Sequence, residues 1–208
     1  MAHLRKPLAV AFGLNTVVLV VEAIGTFESN SLSLATDAIH NLADETGLAF
    51  LLLAYTLRTG LSSHLLRTAN LFNSLGLLVI SGVVVWQAFD RFVHPQPVLG
   101  IIPIVAGVLA AAGNWGVARA LHAPSKEDVA IRLAYVHNLG DILVSLAPVA
   151  AGFATLASGT PLFDSIIAIG IAGFIIVTTL KAVLGSEKEL LWPENVVCGH
   201  HDESVKEG

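Results

Sequence analysis

Six long apolar segments, separated by short polar ones, limit most strongly what this chain can fold into. Each is long enough to cross about 30 Å of hydrocarbon as a helix rising 1.5 Å per residue. Only 13% of the 208 residues are charged, against roughly 25% in soluble domains. We therefore predict an all-α, multi-pass integral membrane protein. The predicted transmembrane helices cover residues 7–27, 32–57, 68–92, 99–121, 128–156 and 162–184.

Basic residues predict the orientation of these helices. With both termini on one side, that side holds ten of the eleven lysines and arginines and the other holds only Arg91. Because positive residues concentrate on the cytoplasmic side, we expect both termini in the cytoplasm. We expect the membrane that the helices cross to be the cell's inner membrane. No basic patch is present, so nucleic acid is not an expected partner. The ten are Arg5, Lys6, Arg58, Arg67, Arg119, Lys126, Arg132, Lys181, Lys188 and Lys206.

The composition predicts one folded domain and a tail. Residues 1–185 form the expected six-helix transmembrane domain, and residues 186–208 form a short polar cytoplasmic tail. Cys198, His200 and His201 in the tail offer metal ligands, although a solvated, disordered tail is the favoured interpretation. The single cysteine excludes an internal disulfide framework.

Two copies of one motif lie inside apolar segments: His40 with Asp44, and His137 with Asp141. A spacing of four residues places both side chains on one face of a helix. Each motif starts eight or nine residues into its segment, and the two segments run in opposite directions. The motifs therefore reach a similar depth, with His40 beside Asp141 in an outer layer and Asp44 beside His137 in an inner one.

Two imidazoles and two carboxylates form a tetrahedral ligand set that suits zinc, with cobalt and cadmium as competitors. The carboxylates also balance the charge of a divalent cation. Copper(I) prefers sulfur, whereas magnesium and calcium prefer more oxygens. Because ligands bind metal deprotonated, metal entry releases protons. A lone intramembrane histidine often only makes hydrogen bonds, but two motifs at matching depth favour a metal site.

A metal site at mid-membrane indicates a secondary transporter that carries the metal as its substrate, with no separate cofactor. An intramembrane zinc hydrolase is the alternative from another class, but it needs an open coordination position and a general base. No H-E-x-x-H motif is present, so we do not expect an enzyme. A metal sensor would need an output domain.

Other polar residues within the segments are candidates for the ion pathway or for supporting the ligands. Asp37 lies one turn before His40, where it faces either a water-filled vestibule or the imidazole. Glu22 either lines the pathway or forms a hydrogen bond with a neighbouring helix. Asn138 is expected to support the adjacent ligand His137. Asp164 either contributes to the outer path or only starts a helix. Four glycines are expected to permit close helix packing: Gly76, Gly82, Gly170 and Gly173.

The stretch from Ser31 to Asp44, together with His137 to Asp141, resembles the signature of the cation diffusion facilitator family of divalent-metal transporters. The resemblance implies a homodimer, here through transmembrane contacts, that exports Zn²⁺, and also Cd²⁺ or Co²⁺, in exchange for protons. Members with other ligands carry Fe²⁺ or Mn²⁺, which is the alternative within this fold. Most members continue into a cytoplasmic ferredoxin-like domain, so we expect a member that lacks this C-terminal domain.

Overall fold

The computed structural model describes residues 2–57 and 63–184, and the predicted tail with Cys198, His200 and His201 lies outside the described residues. Within them every long element is a helix. The bounds are α1 (Ala2–Ser29), α2 (Leu32–Leu57), α3 (Ser63–Val93), α4 (Ile101–Leu121), α5 (Val129–Ser158) and α6 (Leu162–Leu184), with a short 3₁₀ turn at Pro124–Lys126 before α5. The predicted all-α membrane fold class is confirmed.

Five of these helices are long and apolar enough to cross a membrane, namely α1, α3, α4, α5 and α6. Helix α2 has the required length but carries Asp37, Asp44 and Glu45 among its apolar residues. It packs against all five other helices of the described chain. The polar side chains of α2 thus have protein on several sides, which is where intramembrane carboxylates are tolerated.

The helices form two packed groups around α2. Helix α4 lies against both α1 and α5, and α3 lies against α6. Leu8 of α1, Leu48 of α2, Val117 of α4 and Ile131 of α5 share one buried apolar cluster. This packing holds α2 and α5, the two motif helices, in one bundle.

Asp164 of α6 fixes the end of the bundle where α2 begins. Its carboxylate accepts hydrogen bonds from the Ser31 hydroxyl at 2.6 Å, the Ser33 hydroxyl at 2.5 Å and the Leu32 amide at 2.6 Å. Acidic caps of this kind satisfy the exposed amides at a helix N-terminus and complement its dipole. Asp164 therefore caps α2 as well as lying in the first turn of its own helix.

A second polar junction joins α1, α2 and α5 at the opposite end of α2. The Tyr55 hydroxyl donates to Asp128, and the Arg5 guanidinium donates to the Tyr55 carbonyl at 2.9 Å. Asp128 also caps α5 by accepting from the amides of Ala130 and Ile131. Both motif helices are thus held in register by carboxylates that cap them.

Close helix packing occurs at other glycines than the sequence suggested. A Cβ atom on Gly107 of α4 would lie 2.8 Å from the Ser145 carbonyl of α5, so these two backbones approach too closely for a larger residue. The expectation for α3 and α6 was wrong within this chain, because a Cβ on any of those glycines meets no described atom within 4 Å. They are Gly76, Gly82, Gly170 and Gly173.

Candidate metal centre

The structure brings the two motifs together. His40 and Asp44 of α2 face His137 and Asp141 of α5, and one ligand atom from each of the four lies within 4.8 Å of all the others. The two imidazole rings meet edge to face with their centroids 5.4 Å apart. Four potential ligands from two helices therefore converge on one point.

The shortest contacts run between the helices. His137 Nε2 lies 2.7 Å from Asp44 Oδ1, and His40 Nε2 lies 3.1 Å from Asp141 Oδ1. The contacts within each motif are longer, at 3.7 Å for His40 with Asp44 and 3.8 Å for His137 with Asp141. Each imidazole is thus paired with the carboxylate of the opposite helix, in the two layers that the antiparallel motifs predict.

These separations are close to those of a tetrahedral zinc site. Zinc binds histidine nitrogen and carboxylate oxygen at about 2.1 Å, which places neighbouring ligand atoms about 3.4 Å apart. The four contacts between imidazoles and carboxylates bracket that value, from 2.7 to 3.8 Å.

The centre is closed on three sides and open on one. The side chains of His40, Asp44 and Asp141 are at most 9% exposed, whereas His137 is 52% exposed. An ion therefore reaches this arrangement past His137. The enclosed carboxylates have low-dielectric surroundings, so an ion that enters meets a strong electrostatic field.

A second pair of carboxylates lies beside this centre. Glu22 of α1 is fully buried and Asp37 of α2 is 1% exposed. Their carboxyl groups lie next to each other. The Asn41 amide donates to Glu22 Oε2 at 2.7 Å, and Ser145 lies next to Asp37. We refer to Glu22 and Asp37 as the carboxylate pair.

The interface of α1 with α2 contains more polar contacts than the sequence indicated. Asn15 donates to the Asn41 carbonyl at 3.1 Å and to Glu45 Oε2 at 2.9 Å, and Thr16 also donates to Glu45. Glu45 and Asn41 were not among the predicted residues. Their signal was available, since each directly follows a predicted ligand and so lies on the adjoining face of α2.

Two predicted supporting residues lie away from the ligands or bond elsewhere. The Asn138 amide donates to the Ala134 carbonyl of its own helix at 2.9 Å. Asp164 is engaged with the first turn of α2, nine residues before His40. Its contacts are those of a helix cap, and no hydrogen bond joins it to the four converging side chains in the described structure.

Comparison with known proteins adds independent information. Residues 8–191 match the family profile described as the cation efflux transmembrane domain. The chain is 32% identical over 197 residues to the zinc transporter ZitB of Escherichia coli K12, covering 89% of this chain and 62% of ZitB. It thus spans about three fifths of the length of this relative.

Two further relatives are of the same kind. A protein of Bacillus subtilis strain 168 named a cadmium, cobalt and zinc/H(+)-K(+) antiporter is 30% identical over 179 residues, covering 79% of this chain and 58% of that protein. The metal cation efflux system protein CzcD of Cupriavidus metallidurans is 26% identical over 195 residues, covering 90% of this chain and 62% of its own length.

Proposed function

The chain belongs to the cation efflux family, and on that premise we propose that it is a secondary transporter that exports Zn²⁺ from the cytoplasm in exchange for protons. One observation carries the proposal. His40, Asp44, His137 and Asp141 converge from two helices within a membrane-embedded bundle. Buried ionisable groups are costly in a membrane and mark ion pathways.

The donor set favours zinc. Two nitrogens and two oxygens at near-tetrahedral spacing suit a d¹⁰ ion without a preferred geometry, and two carboxylates cancel its charge. Cadmium and cobalt accept the same ligands, and both are named with zinc for the Bacillus subtilis relative. Fe²⁺ or Mn²⁺ is the alternative cargo, but these ions accept higher coordination numbers with more oxygen ligands.

The contacts also support proton exchange. At 2.7 Å, His137 Nε2 and Asp44 Oδ1 are hydrogen-bonded, so a proton lies between them. The same is true of His40 Nε2 and Asp141 Oδ1 at 3.1 Å. These are the atoms that would bind zinc. Because a metal and a proton cannot occupy one lone pair, zinc entry releases the second proton of an imidazolium or the proton of a carboxylic acid at these atoms, and protons returning to them release zinc.

The open side of the centre supports a route. With both termini cytoplasmic, the layer of Asp44 and His137 faces inward. The exposure of His137 then describes the state that takes zinc from the cytoplasm. Alternating access would open the layer of His40 and Asp141 outward instead. We propose that the membrane crossed is the cell's inner membrane.

We do not propose an enzyme. A hydrolytic zinc site keeps one coordination position for water, whereas four protein ligands here complete the tetrahedron. We propose a homodimer through the transmembrane region, with α3 as the contact helix. A Cβ added to Gly76 or Gly82 of α3 would meet no atom of the described residues within 4 Å, which leaves these positions open to a second copy.

Transport assays in proteoliposomes test this function. Protein is reconstituted with a zinc-sensitive dye inside the vesicles, with and without a proton gradient. We expect zinc to move against the proton flux, faster with a gradient than without. The control is the Asp90→Asn variant, reconstituted in parallel vesicles, because Asp90 is an exposed residue outside the site. Zinc flux that ignores the gradient would refute exchange, and absence of flux in well-reconstituted protein would refute transport.

A further inference from the structure

The carboxylate pair lacks the partners that two buried anions require. Both oxygens of Asp37 and Oε1 of Glu22 are buried, and none of the three makes a close hydrogen bond with the described residues. The neutral donors beside the pair are the Asn41 amide, which donates to Glu22 Oε2 at 2.7 Å, and the Ser145 hydroxyl next to Asp37. Two ionised carboxylates side by side repel each other and offer only acceptors.

No lysine or arginine among the described residues acts on the pair. His40 of α2 can carry a positive charge towards Asp37, whereas Asp44 of α2 and Asp141 of α5, which also act on the pair, are negative. Helices α4 and α5 contribute neutral groups on this side, with Asn114 donating to Ser145 at 3.1 Å. Two adjacent negative charges here would be strongly unfavourable, because burial removes the water that would otherwise solvate them.

We propose that Glu22 carries a proton and donates it to Asp37, which makes the carboxylate pair a proton-binding site separate from the four metal ligands. A proton between the two groups supplies the missing donor and removes one charge. The acceptor is one of the bare oxygens of Asp37. The arrangement is that of two carboxyl groups sharing one proton.

This proton stays in place when zinc binds. Zinc is neutralised by Asp44 and Asp141, so it adds no net positive charge that would repel the proton from the pair. The protein therefore contains two classes of intramembrane proton: those on the ligands, which zinc displaces, and one on Glu22, which it does not. This inference depends on one part of the proposed function, namely that the four converging residues bind zinc.

Infrared spectroscopy of zinc-saturated protein separates the two classes. Saturation removes protons from the ligands, so a carboxylic acid band that persists arises from another group. We expect one such buried band in the unmodified protein, absent in Glu22→Gln and shifted to higher frequency in Asp37→Asn, where the charged acceptor is lost. The matched control is Glu45→Gln, which changes a carboxylate on the same interface that already has two hydrogen-bond donors. The carboxylic acid band assigned to Glu22 should be unchanged in this variant.

Calorimetry on the same samples keeps the outcomes distinct. Glu22→Gln should bind zinc within about threefold of the unmodified protein and release the same number of protons, because its amide replaces the donor to Asp37. A missing band in the unmodified protein, or a band that persists in Glu22→Gln, would overturn the inference. If Glu22→Gln does not fold, the shift of the carboxylic acid band to higher frequency in Asp37→Asn tests the inference instead. Failure of the unmodified protein to bind zinc would refute the proposed function instead, whatever the band shows.

Discussion

Helix α2 presents carboxylates to two neighbours with opposite results. Towards α5, Asp44 meets the imidazole of His137 at 2.7 Å in a centre that is open on one side. Towards α1, Asp37 meets the carboxyl group of Glu22 in a fully enclosed space. The same residue type, two turns apart on one helix, thus lies in an exchangeable site and in a closed one.

The partner and the access explain the difference. An imidazole is a neutral nitrogen ligand once its proton leaves, so His137 with Asp44 can pass from a hydrogen bond to metal coordination. A second carboxyl group offers no such exchange and requires a proton instead. Both members of the pair are also buried among the described residues, so a hydrated ion does not reach them there. Local chemistry therefore assigns one region to cargo and the other to a retained proton.

The largest expected effect tests the metal centre itself. Asp44→Ala removes one ligand and the partner of His137, so we expect zinc affinity to fall by more than about 100-fold, since even residues that only support ligands contribute 10- to 100-fold. Calorimetry and vesicle uptake measure this. His94→Ala, at an exposed histidine, is the control. Full zinc uptake by a well-expressed Asp44→Ala protein would exclude the four-residue centre.

Acidity should weaken zinc binding next most strongly. Zinc binds the deprotonated ligands, so apparent affinity falls as pH falls, by about tenfold per pH unit for each proton released. With one to two protons, we expect a loss of about 10- to 100-fold between about pH 7 and pH 6. Titrations in buffers of different ionisation enthalpy count the protons. In Glu22→Gln, the apparent zinc affinity should change with pH by the same slope as in the unmodified protein. A shallower slope would mean that Glu22 also releases its proton when zinc binds.

The relative affinities for different metals should depend on the two histidines of the centre and not on the carboxylate pair. His40→Asp makes the centre richer in oxygen and adds negative charge, which favours manganese and iron relative to zinc. We expect their relative affinities to shift by about tenfold, measured by competition among zinc, cadmium, manganese and iron. Asp37→Asn, in the other region, should leave the ranking as it was. An unchanged ranking in His40→Asp would place selectivity outside the centre.

The smallest effect concerns stability. Glu22→Ala removes the hydrogen bond from Asn41 and the donor to Asp37, so we expect unfolding to become easier by about 1–3 kcal/mol, the usual cost of buried polar groups left unpaired. Thermal unfolding in detergent measures this. Glu28→Ala, at an exposed position of the same helix, is the control. A more stable Glu22→Ala protein would mean that the pair is repulsive and holds no proton.

The helices were predictable because apolar length is a local property. The expected bounds 32–57 and 162–184 coincide with α2 and α6, whereas α1 begins five residues before the predicted start at Pro7. Pro7 is the sixth residue of α1, where a proline removes one backbone hydrogen bond, and the helix continues through it. Among the six expected spans, α2 is the one not apolar enough to be recognised as a span by its composition, and it packs against neighbours that cover its polar residues.

The amino-acid sequence was enough to predict the membrane-helical fold and the two motifs, because hydrophobic length and four-residue spacing act within single helices. Which carboxylate meets which partner could be seen only once the helices were packed together. Asp164 was expected to contribute to the outer path or only to start its own helix, and it also caps α2, 132 residues away along the chain. Glu22 was one of several polar candidates in the sequence, and the packing of α1 on α2 places it beside Asp37. Such pairings depend on how helices rotate and cross, and that is set by the packing of all the side chains between them.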